Sequence, residues 1–240
     1  MQPLELGLTG LAVFLGSVSQ RVTGLGFTLV AAPVLVLVMG PFNGVTLCLV
    51  LNAVLAAAVL CRTWRYVLWE RAVQLFLGSL AGTVIGAQLV ALMTAPALMV
   101  AVGLLIMLAV GLVLSGVRLR SLQGRRGALL TGLLSGGMNV TAGTGGPILA
   151  AHSVADGWAF MTFVGTVQVY FLGSNILALV MRGSAELSPA VWVSSAVALL
   201  AGATTGHFLS RAVPEKRAMR LVTGFSLAGG AATLLRGLFG

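Results

Sequence analysis

The stretch Met138-Asn-Val-Thr-Ala-Gly-Thr-Gly-Gly-Pro147 interrupts a long apolar sequence with glycines, hydroxyl groups and one amide. Glycine permits the backbone conformations that end a helix, and proline suits the first turn of the next helix. The stretch therefore predicts a helix break. An earlier stretch, Gln20-Arg-Val-Thr-Gly-Leu-Gly-Phe27, has the same character and predicts a second break.

The two stretches belong to a wider internal repeat. A shift of 119 or 120 residues aligns residues 14–26 with residues 133–145, and it places Gly82 and Gly86 on Gly202 and Gly206. Four matched glycines and the match of Gln20 with Asn139 indicate a duplicated chain. We predict a first transmembrane repeat at 1–117, a cytoplasmic linker at 118–126 and a second transmembrane repeat at 127–240.

Composition places the chain in a lipid bilayer. Hydrophobic residues make up 58% of the 240 residues and charged residues 8%, whereas about a quarter of a soluble domain is charged. Uncharged windows long enough to cross a bilayer as helices occupy residues 44–61, 72–93, 97–117, 158–181 and 190–210. A secreted or cytosolic enzyme is excluded. Glu5 stands where a secretory signal would be basic, so we expect the N-terminus to be retained.

The arginines indicate how the two halves are oriented. Residues 62–71 and 118–126 are rich in arginine, while residues 93–96 between the same two spans carry no charge. The pattern is exchanged in the second half, where residues 182–186 are poor in positive charge and residues 211–220 are rich. Positive residues favour the cytoplasmic side, which predicts inverted halves with both chain ends outside. The net charge of +9 is then an orientation signal, and no nucleic-acid partner is expected.

Each half opens with apolar segments shorter than a full span. They are residues 7–20 and 27–39 in the first half and residues 127–140 and 148–155 in the second. Such lengths give only about 12 to 21 Å of helix, which predicts half-helices that meet inside the membrane. Each pair is either a re-entrant hairpin or two thin spans.

The breaks are the predicted binding site. Helices that start at Gly26 and Pro147 would point unpaired amides and positive dipole ends at the gap, which suits an anion. The alternative is that the glycines only allow close helix packing, which we favour for the pairs Gly82/Gly86 and Gly202/Gly206. The predicted substrate-binding residues are Gln20, Arg21, Thr23, Gly24, Gly26, Asn139, Thr141, Gly143, Thr144, Gly145 and Gly146.

Three ionisable residues have alternative interpretations. Arg21 is the only charge between Glu5 and Arg62, and it either binds an anion in two-point fashion or reaches water at the membrane edge. His152 and Asp156 lie one helical turn apart and either carry a proton for a proton-coupled transporter or are simply solvated or hydrogen-bonded.

No catalytic constellation is present. The sequence has no Gly-x-Ser-x-Gly, His-Glu-x-x-His or Cys-x-x-Cys motif, and its five acidic residues are scattered. Cys48 and Cys61 are thirteen residues apart in one window, about 20 Å on a straight helix. We expect neither an enzyme nor a metal site, disulfide or cofactor.

Together, Val22-Thr-Gly-Leu-Gly-Phe27, Ala142-Gly-Thr-Gly-Gly-Pro147, Pro33 and the duplication resemble the TauE/SafE family of sulfite-exporter-like membrane permeases. The resemblance covers essentially the whole chain. It implies outward movement of sulfur-containing anions such as sulfite or an organosulfonate, by a multi-pass protein of the bacterial inner membrane.

The sequence thus predicts an all-α integral membrane protein with two inverted-topology repeats and broken or re-entrant helices at the start of each half. The predicted function is alternating-access transport of a small anion, sulfite, a sulfonate or a related organic anion, with proton coupling if His152 and Asp156 carry a proton. The alternatives are an anion channel of the same fold and a membrane-embedded assembly partner without cargo. The lipid bilayer is an expected partner, and homo-oligomers are compatible with the sequence.

Overall fold

The computed structural model describes residues 2–115, 120–212 and 215–240, and within these ranges the chain is α-helical with no strand. The all-α fold class is confirmed. Residues 118 and 119 of the predicted linker, and the side chains of Arg211 and Lys216, lie outside the described parts. The helices are α1 (Pro3–Thr23), α2 (Gly26–Thr63), α3 (Trp69–Leu92), α4 (Ala95–Ser115), α5 (Gly124–Ala142), α6 (Gly146–Ala155), α7 (Phe160–Arg182), α8 (Pro189–Ala212) and α9 (Glu215–Phe239).

Six helices of the described chain are long and apolar enough to cross a membrane, namely α2, α3, α4, α7, α8 and α9. The five predicted windows coincide with α2, α3, α4, α7 and α8. The sixth span, α9, was not predicted, because Arg217, Arg220 and Arg236 divide its sequence into uncharged stretches shorter than a span. The chain is therefore a multi-pass membrane protein.

The predicted lengths of the half-helices were wrong for α1 and α5. These helices have 21 and 19 residues, because each extends through a polar first turn that contains Glu5 or Arg125. The predicted short helix at 27–39 is the first segment of α2, which has 38 residues and bends at Gly40, where φ is 83° and ψ is 164°. Only α6, with 10 residues, is as short as expected.

The order of helices repeats along the chain. A shift of 119 residues carries the second segment of α2 (residues 41–63) onto α7, and a shift of 120 carries α3 onto α8. In the assembled protein, α1 packs on α8 and α5 packs on α3, while α2 contacts α7 and α4 contacts α9. The opening helix of each half thus packs on the other half. The opposite membrane orientation of the halves stays a prediction.

Glycines make these cross-half contacts close. A Cβ atom added to Gly82 would collide with the backbone carbonyl of Leu133 on α5, and one added to Gly202 would lie 2.5 Å from the carbonyl of Phe14 on α1. Only glycine lets two helices approach to this distance. The packing interpretation of these glycines is confirmed.

Helices α5 and α6 fold back on each other. The Gln123 side chain donates to the carbonyl of Ala155 at 2.8 Å, and the Gly124 amide donates to the Asp156 carboxylate at 2.7 Å. The start of α5 and the end of α6 therefore lie at the same end of the molecule. A re-entrant hairpin and a pair of thin spans both have this arrangement, so the choice between them stays a prediction.

Candidate functional site

Both predicted helix breaks are present. Helix α1 ends before Gly24 (φ 80°) and helix α5 ends before Gly143 (φ 71°), and both glycines adopt the left-handed conformation. The amides of Gly24 and Gly143 donate to the carbonyls of Gln20 and Asn139, each at 2.8 Å. The same helix ending, with the same bond length, therefore occurs in the two halves.

The helices that follow the breaks begin side by side. A Cβ atom added to Gly146, the first residue of α6, would lie 3.2 Å from Leu25, which precedes α2; one added to Gly143 would lie 3.5 Å from Thr28. The residues before these helices, Leu25 and Gly145, place no side-chain hydrogen bond on the helix ends, and in α2 the Phe27 amide is bonded by Gln20. Two positive helix ends, with backbone amides not used inside the helices, therefore converge.

Side chains of the first break hold the backbone in place. Gln20 donates to the carbonyl of Gly24 at 3.0 Å and accepts the amide of Phe27 at 3.1 Å. The Thr23 hydroxyl donates to the Ser19 carbonyl at 2.9 Å. Gln20 and Thr23 therefore bond backbone groups instead of presenting unbonded donors, because the interruption leaves those groups without helical partners.

The second break contains buried polar atoms without partners. Asn139 donates to the side-chain oxygen of Asn175 at 2.8 Å, but its own oxygen, the Asn175 amide nitrogen and the Thr144 hydroxyl form no hydrogen bond. All three side chains are fully buried. Leaving such a group unpaired costs about 1–3 kcal/mol, so this break is suited to a polar guest.

Hydroxyl groups continue this polar region. Ser135 donates to the carbonyl of Gly145 at 2.8 Å. The Tyr170 hydroxyl lies beside Ser79, Ser135 and Ser174 without the geometry of a hydrogen bond. Sequence reasoning missed Ser135 and Tyr170. Their contact depends on the packing of α3, α5 and α7, and no local pattern indicates it.

A cavity of about 380 Å³ lies beside the first break. Its polar lining includes Ser17, Gln20, Arg21, Arg62, Thr204 and His207. Arg21 is half-buried, and its Nη2 lies 3.1 Å from Nδ1 of His207. Arg21 is therefore a cavity residue. Arg62, near the end of α2, also lines this cavity. From the sequence alone, Arg62 indicated only the membrane orientation of its loop.

Thr141 lies apart from the other predicted binding residues. It lines an apolar groove of about 520 Å³ with Gly86, Leu133 and Met138, between α3, α4 and α5. Thr141 still belongs to helix α5, which ends at Ala142. Its side chain therefore lies on the face of α5 that packs on α3. Thr144, by contrast, is fully buried in the break, and its hydroxyl has no hydrogen-bond partner.

His152 and Asp156 form a cluster at the other end of α6. The His152 Nε2 atom lies 3.8 Å from the Asp156 carboxylate, which also pairs with Arg71 at 3.3 Å. The other ring nitrogen contacts the carbonyl of Leu122. Burial lowers the pKa of His152 below its usual value, although Asp156 opposes this effect. The cluster joins α3, α5 and α6.

Cys48 is buried and Cys61 exposed, and neither forms a disulfide. Within the described ranges, no group of three His, Cys, Asp or Glu side chains could hold a metal ion.

The six membrane-spanning helices of the described residues and the two neighbouring helix breaks define an α-helical, multi-pass membrane protein. A family model described as Sulfite exporter TauE/SafE matches residues 9–233, so the chain belongs to this family. It is a membrane transporter of the sulfite-exporter type, and members of the family are transporters and not enzymes. No curated protein and no solved structure matches the chain.

Proposed function

We propose that the protein exports a small sulfur-containing anion, such as sulfite or an organosulfonate, which binds between the amino termini of α2 and α6. The observation that carries this proposal is the close approach of Leu25 to Gly146, which places the amino termini of α2 and α6 side by side. Each helix end attracts an anion through its amides and its dipole. Two such ends at one point favour negative charge more than either end alone.

The polar groups of the second break support the same site. The Thr144 hydroxyl and the Asn175 amide are buried donors without a partner. An oxyanion accepts hydrogen bonds from such donors and removes the penalty of their burial. The unpaired oxygen of Asn139 suits a guest that also donates, such as bisulfite or a hydrogen-bonded water.

The cavity beside the first break supplies an approach to this site. It carries two arginines, Arg21 and Arg62, and reaches Gln20 at the edge of the break. Positive charge in a narrow cavity concentrates anions. The arginine-rich segments predict that this end of the molecule faces the cytoplasm. An anion would therefore enter from inside, as export by a bacterial inner-membrane protein requires.

Alternating access follows from the proposed relation between the halves. The opening helices pack across the halves, α1 on α8 and α5 on α3. Rocking of these two packed pairs against each other would expose the break first to one side and then to the other. Proton coupling through His152 and Asp156 stays a prediction; flux driven by a pH gradient, with Asp156→Asn for comparison, tests it.

The experiment measures sulfite and methanesulfonate flux into liposomes for the unchanged chain and for Arg21→Gln. Loss of a hydrogen bond to a charged group costs about 1.5–3 kcal/mol, or roughly 10- to 150-fold in affinity. We expect KM to rise by at least about tenfold. The matched control is Arg65→Gln, because Arg65 is exposed, stacks on Trp64 and does not line the cavity.

Other results would assign a different function. Flux that never saturates and cannot concentrate the anion would indicate a channel. If neither anion crosses the membrane, and the polar residues of the breaks can all be replaced without changing the behaviour of the protein, the chain acts as an assembly partner. Unchanged KM in Arg21→Gln would remove Arg21 from the site.

A further inference from the structure

We propose that Arg182 and the bend of α2 form a second anion-binding site, separate from the helix breaks, which accepts a small oxyanion such as sulfate or a sulfonate. Arg182 ends α7 and is 8% exposed. It lines a cavity of about 400 Å³ together with Gly40, Pro41 and Asn43. The inference goes beyond the proposed function, because binding at this position does not require transport.

The charge of Arg182 has no counter-ion among the side chains that the structure describes. Its guanidinium donates to the carbonyls of Val140 at 2.6 Å, Phe42 at 3.2 Å and Pro41 at 3.4 Å and to the Thr46 hydroxyl at 3.4 Å, and it lies 4.9 Å from the centre of the Phe42 ring. These groups solvate the cation but do not neutralise it. A buried cation without an opposite charge is unfavourable, and a bound anion would remove this penalty.

The bend of α2 adds a second positive feature to the same cavity. Gly40 is not helical, so the second segment of α2 begins anew at Pro41. A helix that begins anew directs the amides of its first turn, here the turn that includes Phe42 and Asn43, away from the helix body. A helix amino terminus and a buried arginine therefore line one cavity, and each favours an anion independently.

The two cavities have related positions in the repeat. A shift of 119 residues places Arg62, which lines the cavity beside the first break, on Met181, the neighbour of Arg182. Each cavity thus receives an arginine from the carboxyl end of a corresponding helix. If the halves are inverted as predicted, the Arg182 cavity lies on the outer side, where an exported anion leaves.

Charged thiol reagents test this site in detergent-purified protein. Met93 is 38% exposed at the rim of the cavity, so Met93→Cys reports on it, and Cys61→Ala removes the exposed native thiol. The probes are the sulfonatoethyl and trimethylammonium-ethyl methanethiosulfonates. We expect the anionic probe to react faster, and sodium sulfate to slow labelling more than sodium chloride at equal ionic strength.

Variants of Arg182 separate binding from general charge. In Arg182→Gln, the labelling rate with the anionic reagent divided by the rate with the cationic reagent should fall about tenfold, and sulfate should no longer slow labelling. Arg182→Lys should keep part of the rate difference and part of the protection. The matched control is Arg236→Gln. Arg236 also donates to a carbonyl of α2, that of Leu37 at 2.6 Å, but does not line the cavity, so its removal should leave protection unchanged.

Two results would overturn the proposal. One is the absence of sulfate protection at Met93→Cys while Arg182 is intact, and this measurement decides the question even if Arg182→Gln fails to fold. The other is equal protection in folded Arg182→Gln. Loss of flux in liposomes would instead concern the helix breaks, so failure of the proposed function is distinguishable from failure of this site.

Discussion

Gln20 and Asn139 occupy equivalent positions before the two helix breaks, and each accepts the amide of a left-handed glycine at 2.8 Å. Their side chains do different things. The side-chain amide of Gln20 forms hydrogen bonds with the Gly24 carbonyl and the Phe27 amide on either side of its break. The side-chain oxygen of Asn139 has no partner. The first break is therefore braced internally, and the second retains groups for a ligand.

Replacing Asn139 should weaken anion binding. We expect Asn139→Ala to raise KM for methanesulfonate in liposomes by about tenfold, because the variant loses the bond that orients Asn175. Thr141→Val is the matched control, since Thr141 lies two residues away but lines the apolar groove. Equal effects of the two changes would contradict the placement of the site.

Replacing Gln20 should reduce stability more than affinity. Gln20→Leu leaves the Phe27 amide and the Gly24 carbonyl without their side-chain partner, and each unpaired group costs about 1–3 kcal/mol. The thermal unfolding temperature in detergent should fall clearly. Gln88→Leu, at an exposed position of α3, should have little effect. An unchanged unfolding temperature in Gln20→Leu would show that the bracing is unimportant.

The left-handed glycines should not tolerate a side chain. Gly24→Ala and Gly143→Ala each place a Cβ atom at positive φ, which costs roughly 1–2 kcal/mol. Both variants should unfold at lower temperature and carry less anion. Gly111→Ala is the control, because Gly111 lies inside α4 with open space around it; this change should be neutral or stabilising. A similar change of unfolding temperature in all three variants would argue against backbone strain at the two left-handed positions.

Close packing across the halves should be equally sensitive. Gly82→Ala would drive a methyl group into the Leu133 carbonyl, and overpacking of this kind costs about 1–3 kcal/mol. Gly224→Ala places the same methyl group in open space on α9. A difference in detergent unfolding temperature between the two variants measures the contact, and its absence would mean that α3 and α5 separate easily.

Acid should destabilise the protein through His152. Burial holds the pKa of His152 below its usual 6.5, so below about pH 6.5 the unfolded chain binds a proton that the folded chain binds more weakly. Stability contributed by the neutral ring is present above this pH and is lost as the pH falls. We expect a smaller drop in unfolding temperature between pH 8 and pH 5 for His152→Gln. An equal drop would assign the effect to other groups.

Features carried by local sequence were predictable. The breaks follow from the glycines Gly24 and Gly143 beside polar residues, because only a few residue types stop a helix in an apolar background. The spans follow from hydropathy. Helix α9 escaped prediction because its arginines interrupt the apolar run, and α1 and α5 were predicted too short because charged first turns were assigned to loops.

Features carried by distant contacts were not predictable. Arg182 stands in a segment that indicated only low positive charge, yet it contacts the bend of α2 more than 130 residues earlier. Likewise, nothing local distinguishes Thr141, which lines a groove, from Thr144, which lies in the buried break. Such distinctions depend on which helices pack together.

The exchange of opening helices between the halves has a consequence for biosynthesis. Helix α1 is complete at Thr23, but its packing partner α8 begins only at Pro189. At about 5–20 residues per second, a ribosome needs roughly 10 to 30 s to make the intervening chain. During this interval the face of α1 that will pack on Gly202 and Gly206 of α8 has no partner. Assembly of the first half therefore cannot finish before translation of the second half is nearly complete.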